Sequence, residues 1–369
     1  MRVLLLAESM IDYAFAFASA VAGPCDVLLA APDRLLGPYR PDLPPGLQAP
    51  VLEWPRPRSP RNAPFLGEML GLIRRWRPDV VHVVSQSMTW PTLALPLRGR
   101  VPLVETVHDV QPHPGDAESA RTPEIFNRLL RAQADAMIVH SEDLRTAAMA
   151  RFRKPERQVY VLPHVALTRY VRLAANQAPL PKEDRFDVLF FGRVYAYKGL
   201  EHLIAAAERL APQVPGLRVT VAGAGSDWDR CRALIRTPGL FDLRDGFIPD
   251  QAAAALFTRA DVIALPYVEA SQSGVIGIAT AMGKAVVATR VGDFAQTVDG
   301  AEPCGLITPP ADPAALADAL ARLHADPDLR MRLGAAGLKQ AQGARSPAAV
   351  GAQAETIYRA VLEAFKGSA

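Results

Sequence analysis

The sequence predicts an α/β protein with two mostly parallel sheets. Short apolar runs alternate with longer amphipathic stretches along almost the whole chain, and the runs are rich in Val, Leu and Ile. Strands of a parallel sheet are buried on both faces and are joined by helices, so this alternation is typical of them. Half of the 369 residues are hydrophobic and 21% are charged, a composition that excludes a disordered chain.

Eleven apolar runs are predicted strands, and three amphipathic stretches show helical spacing. The strands of the first half are Val3–Ala7, Asp26–Ala31, Asp79–Val84, Val101–Val107, Ala134–Val139 and Gln158–Leu162. Those of the second half are Phe186–Phe191, Leu217–Ala222, Ala260–Leu265, Lys284–Thr289 and Gly305–Thr308. The helical stretches are Leu200–Leu210, Pro313–Leu323 and Pro347–Phe365. The proline-rich segment 32–64 is predicted to be an irregular surface loop, because proline removes ladder donors.

Eleven strands are too many for one comfortable open sheet, so we expect two Rossmann-like domains. Residues 173–185 carry turn residues and charges without periodicity, which predicts a linker. The N-terminal domain then covers residues 1–172 and the C-terminal domain residues 186–346. The helix at 347–369 has no strand after it, and on pattern alone it is free to pack on either domain.

Charge and cysteine content exclude several classes of protein. The 41 basic and 38 acidic residues leave a net charge of +3, too balanced for a nucleic-acid binder. Three widely spaced cysteines predict neither a disulfide framework nor a zinc site, and favour a reducing, cytoplasmic location. No apolar run approaches membrane-spanning length, and we interpret residues 1–8 as a first strand rather than a signal peptide.

Basic clusters are open to two interpretations. They are either a solvated face or a contact with an anionic membrane surface, which would make the protein peripheral there. The clusters comprise Arg56, Arg58, Arg61, Arg74, Arg75, Arg77, Arg151, Arg153, Lys154 and Arg157.

The loop after the strand Phe186–Phe191 carries two cations five residues apart. Gly192 and Arg193 follow the strand directly, and Lys198 precedes the next helix. Ligands of open α/β sheets bind beyond the carboxyl ends of strands, and Arg and Lys can bracket a diphosphate there. The alternative is a surface Arg and Lys on an ordinary connection.

A second candidate anion site follows the strand ending at Leu265. Ser273 is a plausible helix N-cap, and Gly274 leaves the backbone amides of the first turn open. Such a helix end offers N–H groups and a positive dipole to an anion. A plain capped helix is the alternative.

A glycine pair lies between these two candidates. Gly223 and Gly225 resemble a dinucleotide fingerprint, but Trp228 occupies the third glycine position, which argues against NAD or FAD. We therefore expect the glycines to let a nucleotide approach the strand end, and the backbone of residues 246–249 to receive its base.

Histidine supplies one catalytic candidate. His108 follows the strand Val101–Val107 directly and could bond a substrate hydroxyl or move a proton, although a structural role is the alternative. The other histidines show no metal-ligand spacing, so we predict no metal site.

Taken together, these motifs resemble those of the family-4 retaining glycosyltransferases. The resemblance rests on Phe191-Gly192-Arg193 with Lys198-Gly199, on Val221–Gly225, and on Arg259–Val262 with Leu265-Pro266. It continues through Ala281–Thr289, Val291–Asp293, Gly305–Ile307 and Asp312–Ala317. It implies the GT-B fold, two Rossmann-like domains facing across a cleft, with the C-terminal helix crossing back to the N-terminal domain.

The resemblance also implies roles for individual residues. Arg193 and Lys198 would hold the diphosphate of a nucleotide-sugar donor, Ser273 and Gly274 would share that role, and His108 would lie beside the donor sugar. The two glutamates of the family fall at Ala270 and Ile278, and Glu269 lies one place earlier as a candidate substitute.

The function predicted from these residues is transfer of a hexose, with retention, to a saccharide or lipid-linked acceptor. The nucleotide-diphosphate sugar is the donor substrate, and no further cofactor is expected. Two alternatives stay open at this point: a nucleotide-sugar epimerase on the same fold, and a catalytically inactive nucleotide-binding partner protein.

Overall fold

The computed structural model describes residues 1–85, 88–111, 122–178 and 184–367. Within them the strands are β1 Arg2–Leu6, β2 Asp26–Ala30, β3 Leu47–Gln48, β4 Val80–Val83, β5 Leu103–Thr106, β6 Ala136–Val139, β7 Val159–Val161, β8 Phe186–Phe191, β9 Leu217–Gly223, β10 Phe241–Asp245, β11 Val262–Leu265, β12 Ala285–Thr289 and β13 Gly305–Thr308. Each of the eleven predicted runs overlaps one of these strands. The two remaining strands, β3 and β10, were not predicted.

Helices connect the strands throughout. They are α1 Ile11–Val21, α2 Asp33–Leu36, α3 Asn62–Trp76, α4 Pro91–Ala94, α5 Glu124–Gln133, α6 Glu142–Phe152, α7 Arg169–Ala175, α8 Leu200–Leu210, α9 Trp228–Ala233, α10 Asp250–Arg259, α11 Gly274–Ala281, α12 Phe294–Val298, α13 Pro313–Ala325, α14 Pro327–Gln342 and α15 Pro347–Gly367. Among the described residues, none of these helices combines the length and the apolar character that crossing a membrane requires.

The strands form two sheets, and every described strand pair in them is parallel. The first sheet has the order β3-β2-β1-β4-β5-β6-β7, and the second has the order β10-β9-β8-β11-β12-β13. The α/β class with two Rossmann-like, mostly parallel sheets is therefore confirmed. The proline-rich segment 32–64, predicted to be an irregular loop, instead contains α2, the short strand β3 and the start of α3.

Each sheet has its own hydrophobic core. In β1, Val3 and Leu5 pack on one face of the sheet, while Leu4 and Leu6 pack on the other. Side chains alternate along a strand, so helices on both faces each receive an apolar layer. Val188 and Val219 belong to the core of the second sheet.

Contacts within the chain define two compact units. Among the described residues, the first comprises 1–85, 88–111, 122–165 and 344–367, and the second comprises 166–178 and 184–343. The division lies at residue 165, whereas the sequence placed it at 172, because α7 packs with α10 of the second unit. The predicted linker 173–185 begins inside α7, and its residues 179–183 lie outside the described residues. Helix α15 belongs to the first unit, where it packs on α1 and buries Tyr358.

Candidate active site

The second sheet has a point where its strand order reverses. Strand β8 pairs with β9 on one side and with β11 on the other, so the connections after β8 and β11 run in opposite directions. A crevice opens outside the carboxyl ends of the strands at such a switch point, and ligands of open α/β sheets bind in it. The segments beginning at Gly192 and Pro266 follow these two strands.

Glycines hold the loop after β8 close to its neighbours. Gly192 has φ +112° and Gly199 has φ +63°, and residues with a Cβ atom rarely adopt these backbone conformations. A Cβ atom on Gly199 would lie 2.1 Å from the carbonyl oxygen of Pro266. The turn that carries Lys198 is therefore packed directly against the segment that follows β11.

Tyr267 lies at the centre of the predicted anion site. The Nζ atom of Lys198 lies 3.8 Å from the centroid of its ring, a cation–π contact. Its hydroxyl oxygen lies 3.3 Å from Oγ of Ser273. Burial raises the pKa of Tyr267 to about 12, while the hydrogen bond with Ser273 and the charge of Arg193 act in the opposite direction. Lys198 and Ser273 thus both contact the Tyr267 side chain, and the positive charge of Arg193 acts on it.

The other groups predicted for this site lie near the N-terminus of α11 and on the loop after β8. Ser273 is the N-cap of α11, and its Oγ accepts a hydrogen bond from the backbone N–H of Val275 at 3.3 Å. A Cβ atom on Gly192 would lie 3.9 Å from a methyl group of Val275, so the loop after β8 borders the positive end of α11. Arg193 is exposed, and its guanidinium lies 5.3 Å from the ring centroid of Tyr195.

Backbone packing explains the glycine pair after β9. A Cβ atom on Gly223 would lie 1.8 Å from the carbonyl oxygen of Gly192, and one on Gly225 would lie 2.0 Å from that of Val194. The N–H of Gly246, after β10, donates to the carbonyl oxygen of Gly223 at 3.1 Å. These glycines are required by contacts between strand ends, and their contact with a nucleotide stays a prediction.

The positions of the two family glutamates are filled by apolar side chains. Ala270 and Ile278 are 9% and 4% exposed, so both are part of the packed interior. Glu269 is partly buried, and its backbone N–H lies 3.5 Å from the carbonyl oxygen of Tyr197. A role for its carboxylate in binding the donor stays a prediction.

His108 lies in the first unit and is fully buried. Its Nε2 donates to the carbonyl oxygen of Val84 at 3.0 Å, its Nδ1 lies 3.3 Å from Nε2 of His140, and its ring meets Tyr13 edge-on. Burial lowers the pKa of His108, which favours the neutral imidazole. A contact of this ring with a donor sugar stays a prediction.

The first sheet also reverses its order, between β1 and β4, and a carboxylate lies there. The backbone N–H of Glu8 donates to Oγ of Ser85 at 3.2 Å, and its carboxylate accepts from the N–H and the hydroxyl of Thr89 at 2.7 and 2.8 Å. Burial raises the pKa of Glu8. Neither Glu8 nor Tyr267 was singled out from the sequence, although each follows a predicted strand by one or two residues.

One cluster of potential metal ligands occurs among the described residues. Glu201, Asp227 and Cys231 each place a ligand atom within 4.8 Å of the others. The carboxylate of Asp227 already accepts two hydrogen bonds of 2.6 Å from Arg230, and burial raises the pKa of Cys231 to about 12. A guanidinium-bound carboxylate and a protonated thiol make a poor ligand set.

Family models match both units of the chain. A model described as "Glycosyltransferase Family 4" matches residues 13–165, and one described as "Glycosyl transferases group 1" matches residues 185–326. The second match contains Arg193, Lys198 and Ser273, so the residues that surround Tyr267 lie within it.

Curated relatives and a solved structure agree with these matches. The chain is 32% identical over 294 residues to a D-inositol 3-phosphate glycosyltransferase of Saccharomonospora viridis, covering 74% of this chain and 68% of that protein. It is 28% identical over 274 residues to a glycogen synthase of Mycobacterium tuberculosis, covering 71% and 64%. The chain thus spans about two thirds of the length of these relatives. A sucrose-phosphate synthase structure from Thermosynechococcus elongatus shares the fold, with TM-score 0.71, 22% identity and coverage of 99% and 100%.

Proposed function

Because the chain belongs to the family-4 glycosyltransferases, we propose that it transfers a hexose from a nucleotide-diphosphate sugar to an acceptor hydroxyl, with retention of configuration. One observation carries the proposal: Lys198 and Ser273 both contact Tyr267 at the switch point of the second sheet, and Arg193 lies on the same loop as Lys198. Two cations and a helix N-terminus at one place are suited to a diphosphate.

The proposed chemistry is stabilisation of the leaving group. When the bond between the anomeric carbon and the β-phosphate oxygen breaks, its electron pair stays on that oxygen and negative charge grows on the diphosphate. Lys198, Arg193 and the amide end of α11 hold positive charge there before the reaction begins. Preorganised charges of this kind act without the cost of reorienting solvent, and they stabilise the transition state more than the bound donor.

Tyr267 positions this charge. The ammonium group of Lys198 packs on its buried ring, and its hydroxyl contacts Ser273, the N-cap of α11. One rigid side chain therefore sets the distance between the ammonium group and the start of α11. Thr289 donates a hydrogen bond to the carbonyl oxygen of Tyr267 and fixes the backbone at that point.

The names of the curated relatives indicate the chemical class of the acceptor. The two curated relatives are named for a phosphorylated inositol and for glycogen, both rich in hydroxyl groups. We therefore propose a saccharide or lipid-linked saccharide as acceptor. At the switch point of the first sheet, Glu8 can accept a hydrogen bond from a hydroxyl of such a molecule.

Donor titration tests this function. Full-length protein is incubated with UDP-, GDP- and ADP-glucose, with and without a saccharide acceptor, and nucleotide release is followed. Release of nucleoside diphosphate, with an NMR coupling constant showing an unchanged anomeric configuration, supports retaining transfer. A change in the sugar without release of nucleotide would indicate an epimerase, and binding without any turnover would indicate an inactive partner protein.

A further inference from the structure

A basic cavity lies in the first unit, away from the strand ends described above. Its volume is about 680 Å³, and its walls come from α5, from the end of α6 and from the residues before β7. These residues lie where β6 and β7 begin, whereas His108 and His140 lie beyond the ends of β5 and β6. The cavity therefore lies at the amino ends of these strands, whereas the two histidines lie at their carboxyl ends.

Positive charge dominates the lining. Five of its side chains are basic, and Glu124 is the one acidic side chain among the described lining residues, which leaves a net charge of 5 − 1 = +4. Like charges gathered in one concavity repel each other, and an anion bound between them would remove that cost. The basic residues are Arg128, Arg131, Arg151, Arg153 and Lys154.

Arg131 is held rigidly in the wall. Its Nη1 atom lies 3.2 Å from Oε1 of Glu124, and its guanidinium lies 4.5 Å from the ring centroid of Phe152. Its side chain is 16% exposed, and its buried Nε atom, which makes no hydrogen bond to a described residue, lies 4.0 Å from Oε1 of the buried Glu105. The Nε side of the guanidinium thus faces an interior carboxylate, and Glu105, Glu124 and Phe152 together hold Arg131 in place as a fixed positive charge in the cavity wall.

The other cations differ in how they are held. The Nζ atom of Lys154 donates to the carbonyl oxygen of Ala134 at 2.6 Å, which anchors it at the wall. Arg151 and Arg153 are exposed and make no ion pair with any described residue. The cavity lining thus combines a fixed guanidinium, an anchored ammonium and two exposed arginines.

We propose that this cavity binds a phosphate-bearing ligand at a site separate from the sugar-transfer site. Arginine forks match the oxygens of phosphate and can bind two of them at once. The volume lies in the range of cavities that hold small organic ligands, so it exceeds what one inorganic phosphate fills. A phosphorylated small molecule and a phospholipid headgroup share this chemistry, and the test distinguishes these two sources.

The backbone supplies a variant that should fold. Arg153 ends α6 with φ 54°, a left-handed conformation that glycine adopts more readily. Arg151→Gln with Arg153→Gly therefore removes two cations without straining the helix end. Arg77 ends α3 in the same way, with φ 51°, and Arg75 lies two residues before it. Arg75→Gln with Arg77→Gly is the matched control outside the cavity.

Calorimetric titration with inorganic pyrophosphate is the first arm. Both double variants are made in full-length protein that also carries Arg193→Ala and Lys198→Ala, so that binding at the proposed donor site is not measured. We expect the cavity variant to raise Kd for pyrophosphate about tenfold, the effect of losing a charge-assisted hydrogen bond, and the control variant to leave it nearly unchanged.

Vesicle sedimentation is the second arm, with phosphatidylcholine vesicles that contain or lack phosphatidate. If the cavity variant loses pyrophosphate binding and the control variant keeps it, a phosphorylated small molecule is supported. Loss of phosphatidate-dependent sedimentation in that variant alone supports a lipid headgroup. If neither binding is detected, or if both double variants change it equally, the proposed site is wrong, whatever the activity of the enzyme.

Discussion

Two buried histidines face each other through ring nitrogens that both lack a proton when the rings are neutral: Nδ1 of His108 lies 3.3 Å from Nε2 of His140. His108 uses its Nε2–H for the carbonyl oxygen of Val84, and His140 uses its Nδ1–H for that of Leu162. When both rings are neutral, the two nitrogens between them carry no proton. A third proton would bridge them, but burial disfavours the charge it brings, so the pKa of each histidine is lowered.

Acid should therefore destabilise the fold through this pair. Below about pH 6.5 an unfolded histidine binds a proton that the buried one does not, so stability is complete above that pH and is lost as pH falls. Replacing His140 by Gln should reduce the slope of the unfolding free energy against pH by up to about 1.4 kcal/mol per pH unit. Urea unfolding between about pH 5 and pH 7 measures it, and an unchanged slope would contradict the argument.

Lys198→Ala should slow cleavage of the donor about a hundredfold, the loss typical of removing one preorganised electrostatic group. The ammonium lies on Tyr267 at the proposed diphosphate site, so kcat should change more than KM for the donor. Lys284→Ala is the matched control, because Lys284 lies just before β12, at the other end of the sheet, where its Nζ donates to the carbonyl oxygen of Thr258. Equal rates for the two variants would remove Lys198 from the mechanism.

Phe247→Ala should raise KM for the nucleotide sugar. Phe247 is 87% exposed and follows Gly246, which is hydrogen-bonded to Gly223, so its ring is available to stack on the base. Stacking of a base on an aromatic ring contributes about 1–3 kcal/mol, which corresponds to at least about a fivefold change in KM. Met331→Ala, at another exposed apolar side chain of the same unit, is the control. An unchanged KM would place the base elsewhere.

Glu105→Gln should stabilise the protein, and more so as pH rises. Glu105 is buried in β5, its Oε2 has no hydrogen-bond partner among the described residues, and burial raises its pKa from 4.5 to about 8. Between these values the unfolded state releases a proton that the folded state keeps. Stability of the wild type therefore falls as pH rises, by roughly 1.4 kcal/mol per pH unit.

Unfolding free energies between about pH 5 and pH 8 test this prediction. The gap between Glu105→Gln and wild type should widen across that range, while Glu142→Gln, at an exposed carboxylate of α6, should follow the wild type. A constant gap would mean that Glu105 is ionised in the folded protein throughout.

Local patterns explain why most of the fold was predictable from the sequence. The run Phe186–Phe191 is apolar on both faces and coincides with β8, and Leu200–Leu210 coincides with α8. Strand β10 was not predicted because it lies at the edge of its sheet, where only Phe241 of its five residues is buried. Because one side of an edge strand faces solvent, its residues are mostly polar and lack the apolar pattern from which the other strands were predicted.

The candidate site was predictable only in part. Arg193, Lys198 and Ser273 follow strand ends, a position that local pattern reveals. The role of Tyr267 depends on Lys198, which is 69 residues away in the sequence and reaches the ring only after β8 and β11 pair. Likewise, the basic cavity needs α5 and α6 to end side by side, which no single window of sequence contains.

The interlocked glycines after β8 and β9 constrain how this protein can be re-engineered. Backbone oxygens of Gly192 and Val194 occupy the space where side chains at Gly223 and Gly225 would begin, and Gly246 is tied to the same layer. If only one of the three segments after β8, β9 and β10 were replaced by that of a homologue, its backbone would not fit against the other two. A chimera designed to accept another base should exchange all three segments together, and libraries that randomise one segment should keep these glycines constant.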